Sequence, residues 1–279
     1  MDTFTEHAER IETRLGTLHA RVSGTGRLTV LWSSMFVDSH TWDSILPLLI
    51  EGSAIRRRFV LIDPPGLGMS DPLTRRSTIA EAADAARDAL TALGATEPVD
   101  WLGNAFGGHV GLDLARDSRT LRSLVAISSP TEPIAPELRR KIGVLHPLLR
   151  LAGPVGPVQD AIIDAMLTEE AAATPSTRQV VLDSVRRPTK ASLSLALRSF
   201  IIDRTDVTDR LAEIRVPSLF VASDDRGDWS PADAQRAAAL AGAQVVTVTG
   251  ARTLIPLEQP EQLAAAIVRF WDQLGDERG

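Results

Sequence analysis

Residues 99–114 read V-D-W-L-G-N-A-F-G-G-H-V-G-L-D-L, and the rest of the chain is interpreted around them. The apolar run Val99–Leu102 enters Gly103, and Gly107–Gly108 begin a segment whose apolar residues recur at helical spacing. This pattern predicts a buried strand, a very tight turn and a helix. Glycines flank the turn because only a residue without a Cβ lets the backbone pass so close to itself. The residue at the apex of the turn is Ala105.

Two further stretches have the spacing of known motifs. D-P-P-G-L-G-M-S-D (Asp63–Asp71) precedes the turn, and T-G-A-R-T-L-I-P-L-E-Q-P-E (Thr249–Glu261) lies near the end of the chain. With these stretches the chain resembles the α/β-hydrolase superfamily, whose motifs are G-x-S-x-G, D-x-x-G-x-G-x-S and G-x-G-H-x-x-x-x-E-x-P-E. The resemblance covers residues 11–275 and implies an α/β-hydrolase fold, a mostly parallel twisted sheet flanked by helices with an inserted helical cap. We expect Asp63 to hold its loop by backbone hydrogen bonds rather than to catalyse.

The resemblance implies a catalytic triad in the order serine, acid, histidine. Ala105 stands at the nucleophile position and Thr253 at the histidine position. Asp225 matches the acid position best, with Asp224 and Asp228 as rivals, and Asp228 is also a candidate N-cap for the helix that follows. No shift of register supplies a histidine, because the chain has none after residue 146.

These replacements predict that the chain is not an active serine hydrolase. Alanine has no atom that attacks a carbonyl, and a threonine hydroxyl does not accept a proton at neutral pH. Loss of triad members leaves about 10³- to 10⁴-fold acceleration over water, or about 4 to 5.5 kcal/mol, against at least about 8 kcal/mol for a modest enzyme. An engineered inactive variant of a carboxylic-ester hydrolase would explain Ala105 but not Thr253, so we favour natural loss.

The resemblance also implies where the rest of the site lies. The backbone N–H groups of Ser34 and Phe106 match the two donors of the oxyanion hole. A largely apolar pocket closed by the cap is expected above the turn. The residues expected to line it are Trp32, Met35, His40, Asn104, Trp229 and Arg252. We expect His109 to pack in the core, because it points down its helix rather than across the turn.

The order of predicted elements gives the domain organisation. Strands are predicted over residues 11–15, 18–22, 28–32, 58–63, 96–102, 121–128, 216–222 and 244–249, and helices over 77–93, 107–116, 231–241 and 260–274. Alternating strands and helices indicate right-handed crossovers and a mostly parallel sheet. From residue 130 to 215 apolar residues recur at helical spacing between prolines and glycines. We therefore predict an α/β-hydrolase core from residues 1–129 and 216–279 and a helical cap from residues 130–215.

Composition excludes several classes of protein. The 279 residues carry a net charge of −6 and only short, separated basic clusters, so we expect no nucleic-acid partner. The absence of cysteine excludes disulfides and thiolate ligands, and no metal spacing, phosphate loop or dinucleotide fingerprint indicates a metal or cofactor. We do not expect the acidic start to act as a signal peptide, and no uncharged stretch is long enough to cross a bilayer. We expect a cytoplasmic protein without membrane contact, and leave a homodimer open.

Several functions fit this pattern. We prefer a non-hydrolytic enzyme of the lyase, isomerase or cyclase type that acts on an apolar small molecule, with Asp225 as a general base made more basic by burial. The scarcity of lysine beside arginine favours a GC-rich bacterial source, where such folds serve secondary metabolism. The alternative is a non-catalytic ligand-binding or scaffold protein. An open cavity above Ala105 with Asp225 facing it favours chemistry or ligand binding, whereas a cavity filled by side chains favours a scaffold.

Overall fold

The computed structural model describes residues 6–225 and 229–275, and an eight-stranded sheet forms its centre. The strands are β1 His7–Thr13, β2 Gly16–Gly24, β3 Arg27–Trp32, β4 Arg57–Ile62, β5 Val99–Asn104, β6 Leu121–Ile127, β7 Ser218–Ser223 and β8 Gln244–Val248. They lie in the order β1-β2-β4-β3-β5-β6-β7-β8. The β1–β2 and β2–β4 pairs are antiparallel, and every pair from β4 across to β8 is parallel. The predicted α/β-hydrolase fold with a mostly parallel sheet is confirmed.

Eleven α-helices occur in the described part of the chain. They are α1 Leu46–Gly52, α2 Ile79–Ala92, α3 Phe106–Leu114, α4 Pro136–Ala152, α5 Pro157–Met166, α6 Glu169–Ala173, α7 Pro175–Arg186, α8 Lys190–Leu197, α9 Pro231–Ala241, α10 Ile255–Glu258 and α11 Pro260–Gln273. Among them, none has both the length and the hydrophobicity needed to cross a lipid bilayer.

The two faces of the sheet belong to two separate apolar clusters. Along β3, Val30 and Trp32 pack into the cluster that includes α2, α3 and α9, whereas Leu31 packs into the cluster that includes α1 and α11. Side chains alternate between faces along a strand, so a strand covered by helices on both sides needs a continuous apolar run. This explains why the central strands lack the alternating polar pattern of a half-exposed sheet.

The described residues between β6 and β7 form helices and loops without a strand. They comprise α4 to α8, which we call the cap helices, followed by a π-helical turn at Arg198–Ile202 and a 3-10 helix at Thr208–Glu213. This agrees with the helical spacing seen in the sequence. The division into domains at residues 1–129, 130–215 and 216–279 stays a prediction.

Several element boundaries differ from those predicted, for local reasons. β5 and β7 begin later than predicted because Pro98 and Pro217 precede them, and proline has no N–H to donate to a neighbouring strand. α2 begins two residues later than predicted. Its N-cap is Thr78, whose side chain accepts from the Glu81 N–H while the Glu81 carboxylate accepts from the Thr78 N–H.

Candidate functional site

Ala105 lies at the apex of the bend between β5 and α3. Its φ of 46° and ψ of −103° fall in a region that residues with a side chain rarely adopt. The flanking glycines are required here, because a Cβ on Gly103 would collide with the backbone of Gly107, and one on Gly107 with the Trp32 carbonyl. The predicted strand, tight turn and helix are therefore present, with only a methyl group at the apex.

Two other non-glycine residues of the described chain have positive φ values, Phe36 at 66° and Ser128 at 47°. Phe36 follows β3 and Ser128 follows β6, the two strands that flank β5. These two residues and Ala105 all line the same cavity. Backbone strain of about 1–3 kcal/mol per residue clusters at functional sites, where the surrounding structure enforces it. The three strained residues therefore mark this cavity as the candidate site.

The cavity has a volume of about 400 Å³ and separates the bend from the cap helices. Residues 130–215 supply a mostly apolar roof: Pro130, Leu138, Lys141, Ile142, Leu145, His146, Leu149, Val158, Ala161, Ile162, Asp164, Ala165, Met166, Leu197, Ile201 and Arg204. The floor consists of Ser34, Met35, Phe36, Ala105, Phe106, His109, Ser128, Ser223, Trp229, Arg252 and Thr253. The space above Ala105 is open, but Asp225 does not line it, so only half of the condition expected for chemistry or ligand binding is met.

Both residues expected to supply oxyanion-hole donors lie on the cavity floor. Phe106 is the first residue of α3, and the first N–H groups of a helix have no carbonyl one turn earlier to bond. A helix N-terminus also favours negative charge through its dipole. Ser34 belongs to the loop after β3 and lines the same floor. Their pairing as an oxyanion hole stays a prediction.

Thr253, at the histidine position, bonds to the cap rather than to a neighbouring acid. Its Oγ1 donates to the Ala165 carbonyl at 2.9 Å, and its N–H donates to the Met166 carbonyl at 3.3 Å. Both carbonyls belong to the last turn of α5, where four carbonyl groups lack partners within a helix. Thr253 therefore caps a helix end at the place where the motif expects a proton acceptor.

Asp225 is held by the side chain of Arg252. The Arg252 Nε and Nη2 atoms both lie 2.8 Å from Asp225 Oδ2, and the Arg252 side chain is only 4% exposed. Arg252 thus bonds to one carboxylate oxygen through two of its N–H groups. Asp225 is also absent from the residues that line the cavity. That Asp225 acts as a general base stays a prediction, and in the structure its carboxylate is paired with Arg252.

The same loop clamps the end of α5 through two further groups. Arg252 Nη1 donates to the Asp164 carbonyl, and the Arg252 N–H donates to Glu258 Oε2 at 2.9 Å. Glu258 Oε1 accepts from the Thr168 N–H at 2.8 Å, and burial raises the pKa of this carboxyl. Arg252 stands where the motif G-x-G-H has its second glycine, a departure that was visible in the sequence. We call residues 249–258 the clamp loop.

A sequence model of the alpha/beta hydrolase family matches residues 22–266. The chain belongs to the alpha/beta hydrolase family. It is similar to the pimeloyl-[acyl-carrier protein] methyl ester esterase of Stenotrophomonas maltophilia, with 26% identity over 268 residues that cover 91% of this chain and 96% of that protein.

Solved structures of the family have the same fold. A thermophilic esterase from Thermogutta terrifontis matches with a TM-score of 0.82 and 22% identity, covering 96% of this chain and 99% of that one. The enol-lactonase from Burkholderia xenovorans matches with a TM-score of 0.83 and 19% identity, covering 95% of this chain and 100% of that one. At these identities the two solved structures show only that this alpha/beta hydrolase family member has the same fold.

The two rivals for the acid position have different environments. Asp224 is exposed and accepts a hydrogen bond from the Gly250 N–H at 2.9 Å, so it supports the clamp loop from outside. Asp228 lies outside the described residues. The N-cap expected of Asp228 is formed by Ser230, whose side chain accepts from the Asp233 N–H at the start of α9. The assignment of Asp225 to the family's acid position stays a prediction.

Three of the six residues expected in the pocket line the cavity, namely Met35, Trp229 and Arg252. Trp32 does not, because its ring is fully buried below the floor and stacks on Trp101 at a centroid distance of 5.4 Å. Asn104 is buried at the end of β5. Its Nδ2 donates to the Ile127 and Thr253 carbonyls, so its role is to tie the bend to β6 and the clamp loop.

The expectation that His40 lines the pocket is wrong. His40 lies in the 3-10 helix Ser39–Trp42, which Asp38 caps by accepting from the His40 N–H. This turn places Trp42 inside and the His40 ring outside, where its side chain is 45% exposed and bonds to Asp43 at 2.9 Å. The spacing of His40 and Trp42 in the sequence did not indicate which of these two side chains lies toward solvent.

Each of the five histidines has a partner other than Asp225. The pairs are His7 with Glu9, His19 with Asp63, His40 with Asp43, His109 with Pro130 and His146 with Ser194. His109 is buried as expected, but it also lines the cavity.

His146, which sequence analysis missed, lines the cavity from α4. Its spacing of four from Ile142 and three from Leu149 places it on the inward face of that helix, and that spacing was visible in the sequence.

Asp63 holds its loop, as expected. It accepts from the Ser39 N–H at 2.8 Å and from the Met69 N–H at 2.9 Å, and the His19 ring lies at 3.0 Å. Burial acts to raise the pKa of Asp63, but these hydrogen bonds outweigh it and lower the pKa below its usual range. Asp63 is thus an ionised structural anchor for the loops after β3 and β4.

Proposed function

We propose that this alpha/beta hydrolase family member binds an apolar small molecule with a carbonyl group and does not form an acyl-enzyme. The observation that carries the proposal is the chemistry at the three triad positions. Ala105 has no nucleophilic atom, Thr253 Oγ1 donates to a cap carbonyl, and Asp225 is held by Arg252. None of these groups is arranged to attack a carbonyl or to take a proton from a nucleophile.

The cavity supports the binding half of the proposal. Its volume of about 400 Å³ falls within the range of small-molecule pockets. The roof is mostly aliphatic, so an apolar ligand body gains free energy by leaving water there. The floor carries Phe106 at the N-terminus of α3, which favours a carbonyl oxygen with partial negative charge. The printed names of the relatives describe an esterase, a methyl ester esterase and an enol-lactonase. We propose that carbonyl binding is the property this chain shares with them.

Calorimetric titration with 2-acetonaphthone, an apolar aryl ketone, tests binding in the cavity. The wild-type protein should bind it with a negative heat-capacity change, which marks burial of apolar surface. Leu145→Trp places an indole in the cavity and should abolish binding. Leu240→Trp makes the same change at an exposed position on α9 and should leave binding intact. Absence of wild-type binding, or equal binding by both variants, would contradict the proposal.

The same titration with p-nitrophenyl butyrate tests the absence of hydrolysis. We expect binding without release of p-nitrophenol above the buffer rate, because the two half-reactions of ester hydrolysis need a nucleophile and a base. Release that the Leu145→Trp variant lacks would place ester turnover in this cavity. That result would contradict the proposal and support a hydrolase like the relatives.

A second candidate is a non-hydrolytic enzyme that stabilises an enolate. The observation that favours this candidate is that Ala105 has the strained backbone of the bend although its methyl side chain carries no reactive atom. The bend positions the Phe106 N–H, and such donors can stabilise developing negative charge on oxygen. Hydroxide or buffer base from solvent would take a methyl proton of 2-acetonaphthone while the Phe106 N–H stabilises the enolate oxygen. Reprotonation in D₂O should then place deuterium in the methyl group, as measured by NMR. Exchange no faster than with Leu145→Trp would exclude this candidate.

A further inference from the structure

Exposed apolar side chains are concentrated on one helix of the cap. Of the six large hydrophobic side chains that are exposed among the described residues, four lie on α4 and in the turn after it: Val144, Leu148, Leu151 and Val155, each between 46% and 73% exposed. Val144, Leu148 and Leu151 are spaced by four and three residues, so they share one side of α4. We call these three residues the outer stripe. Single exposed hydrophobic residues are ordinary on a protein surface, but a cluster of them marks an interaction surface.

The opposite side of α4 is apolar as well. Leu138, Ile142, Leu145 and Leu149 line the cavity from this helix, whereas no residue of the outer stripe lines it. A helix that carries apolar residues on both sides is normally enclosed on both sides. The described chain encloses only the inner side of α4, so the outer stripe favours a partner outside the chain.

Contacts with the rest of the cap fix the orientation of α4. Leu149 is buried in the core, and His146 Nε2 lies 2.9 Å from Ser194 Oγ on α8. At the end of the helix, Lys190 Nζ donates to the Leu151 carbonyl at 2.6 Å. These contacts hold the inner side of α4 against the cap, and the outer stripe therefore lies toward solvent.

The charges on α4 indicate which partner fits the outer stripe. The helix carries one carboxylate and four cations: Glu137, Arg139, Arg140, Lys141 and Arg150. Lys141 lies 3.5 Å from Asp164, whereas the other three cations form no ion pair with any described residue. The whole chain has a net charge of −6, so this helix is locally opposite in sign to the molecule.

Unpaired arginines beside an apolar stripe are typical of helices that lie in the surface of an anionic bilayer. Arg140 and Arg150 are about 15 Å apart along the helix axis, at a rise of about 1.5 Å per residue. A protein partner would need acidic side chains at both places as well as an apolar groove between them. An anionic bilayer offers phosphate groups at every position along the helix and acyl chains beneath them.

We infer that α4 binds the surface of an anionic lipid bilayer. The outer stripe enters the acyl-chain boundary, and Arg139, Arg140 and Arg150 lie at the headgroup phosphates. The expectation of no membrane contact rests on the lack of a spanning stretch, and a helix that lies in the interface needs none. Because the inner side of α4 forms part of the cavity roof, the bilayer is then separated from the cavity by one helix. The inference is independent of the ligand that the cavity binds.

Sedimentation with lipid vesicles tests the inference. The wild-type protein should partition at least about tenfold more strongly to vesicles of equal parts phosphatidylglycerol and phosphatidylcholine than to phosphatidylcholine alone. Raising the salt from about 50 mM to about 0.5 M should weaken this preference, because salt screens the arginines. Equal partitioning to the two kinds of vesicle, or none to either, would overturn the inference.

Matched variants test the apolar contribution of the outer stripe. Val144→Ser/Leu151→Ser should lower partitioning to the mixed vesicles about tenfold or more, because two side chains no longer leave water. Leu240→Ser makes a comparable change at an exposed position on α9 and should leave partitioning unchanged. Both proteins alter only exposed side chains, and circular dichroism checks that they are folded. Unchanged partitioning of the α4 variant would overturn the inference.

A second pair of variants tests the cations. Arg140→Gln/Arg150→Gln should lower partitioning to the mixed vesicles about 10- to 30-fold, at about fivefold for each lost arginine. Arg56→Gln/Arg269→Gln changes the net charge equally at two exposed positions outside the cap and should change partitioning less than about twofold. Equal losses in the two variants would show general attraction of charge and would overturn the assignment to α4.

A single fluorescent label identifies the partner of the outer stripe. The chain has no cysteine, so Val144→Cys and Leu240→Cys each give one site for a polarity-sensitive nitrobenzoxadiazole label. At residue 144 the emission should rise when mixed vesicles are added and should be quenched by lipids with a nitroxide on the acyl chain. At residue 240 neither change should occur. A rise at residue 144 that depends on protein concentration without vesicles would identify a second copy of the chain as the partner and overturn the inference. Failure of these readouts leaves the proposed function intact, because none of them depends on the cavity.

Discussion

At residue 105 the backbone and the side chain point to different functions. The bend keeps the strained conformation that presents a nucleophile at the end of a strand, whereas the side chain is a methyl group. The surroundings enforce the strain, because Gly103 and Gly107 let the backbone cross at a distance that no Cβ tolerates. The conformation at residue 105 thus comes from the packing around it.

Replacement of Ala105 measures this strain. Glycine adopts positive φ without penalty, so Ala105→Gly should stabilise the protein by about 0.5–2 kcal/mol despite the greater freedom of its unfolded chain. Ala265→Gly, an exposed position inside α11, should destabilise it by about 0.5–1 kcal/mol. Urea unfolding of both variants checks this pair. Equal destabilisation would show that residue 105 is not strained.

His109 gives the stability a pH dependence of known sign. Its folded pKa of about 3 lies below the value near 6.5 of an exposed histidine, so between these values only the unfolded chain binds the proton. Stability should therefore fall as the pH drops below about 6.5, by up to about 1.4 kcal/mol per pH unit from this group. Urea unfolding of wild type and His109→Gln at pH 7, 6 and 5 isolates the contribution. Parallel curves for the two proteins would show that His109 does not titrate in this way.

At the scale of elements, the clamp loop joins the core to the cap. Two residues of this loop, Arg252 and Thr253, bond to the end of α5. Glu258 accepts from the N–H of the residue that caps α6. Asp225, which follows β7, binds the Arg252 side chain. Hydrogen-bond donors at a helix C-terminus bond to its free carbonyl groups, and cations there interact favourably with the helix dipole. The residues after β7 and β8, which carry acid and histidine in the family's motif, thus stabilise the roof of the cavity.

Arg252→Ala tests the clamp. The change removes the Arg252 bonds to the Asp225 carboxylate and the Asp164 carbonyl. Because Asp225 is partly exposed, the loss should lie between about 1 kcal/mol for an exposed pair and about 3 kcal/mol for a buried one. Amide hydrogen exchange at residues 164–168 should accelerate more than in β5. Lys141→Met removes an exposed ion pair from the same Asp164 and should change stability by less than about 1 kcal/mol. If the two variants lose equal stability, Arg252 does not clamp the cap.

How far each element was predictable depends on the range of the interactions that form it. The bend was predictable because its glycines are required by the backbone geometry of a few neighbouring residues. Helix α9 was predicted at its observed bounds because a proline begins it. The pairing of Arg252 with Asp225 was not, since the residues lie 27 positions apart and the Asp164 carbonyl lies 88 away. The outward turn of His40 depends on a loop fixed by Asp63, a contact across the fold.

At the scale of the whole molecule, an alpha/beta hydrolase sheet and its cap enclose a cavity whose floor has Ala105 at the apex of the bend. The sheet presents the bend, the loop after β3 and the clamp loop at one edge, where the carboxyl ends of parallel strands meet. The cap helices close that edge with apolar side chains. Under the proposed function, this cavity binds a carbonyl compound without acyl transfer.

The most direct test of the proposal that this cavity does not support acyl transfer is the intact mass of the protein after exposure to a fluorophosphonate probe. The account predicts no mass increase for the wild type and none for Ala105→Ser/Thr253→His, because Arg252 still holds Asp225 in that variant. Adding Arg252→Gly restores the family's motif and should produce one adduct per chain at residue 105. An adduct on any residue of the wild-type cavity would contradict the account.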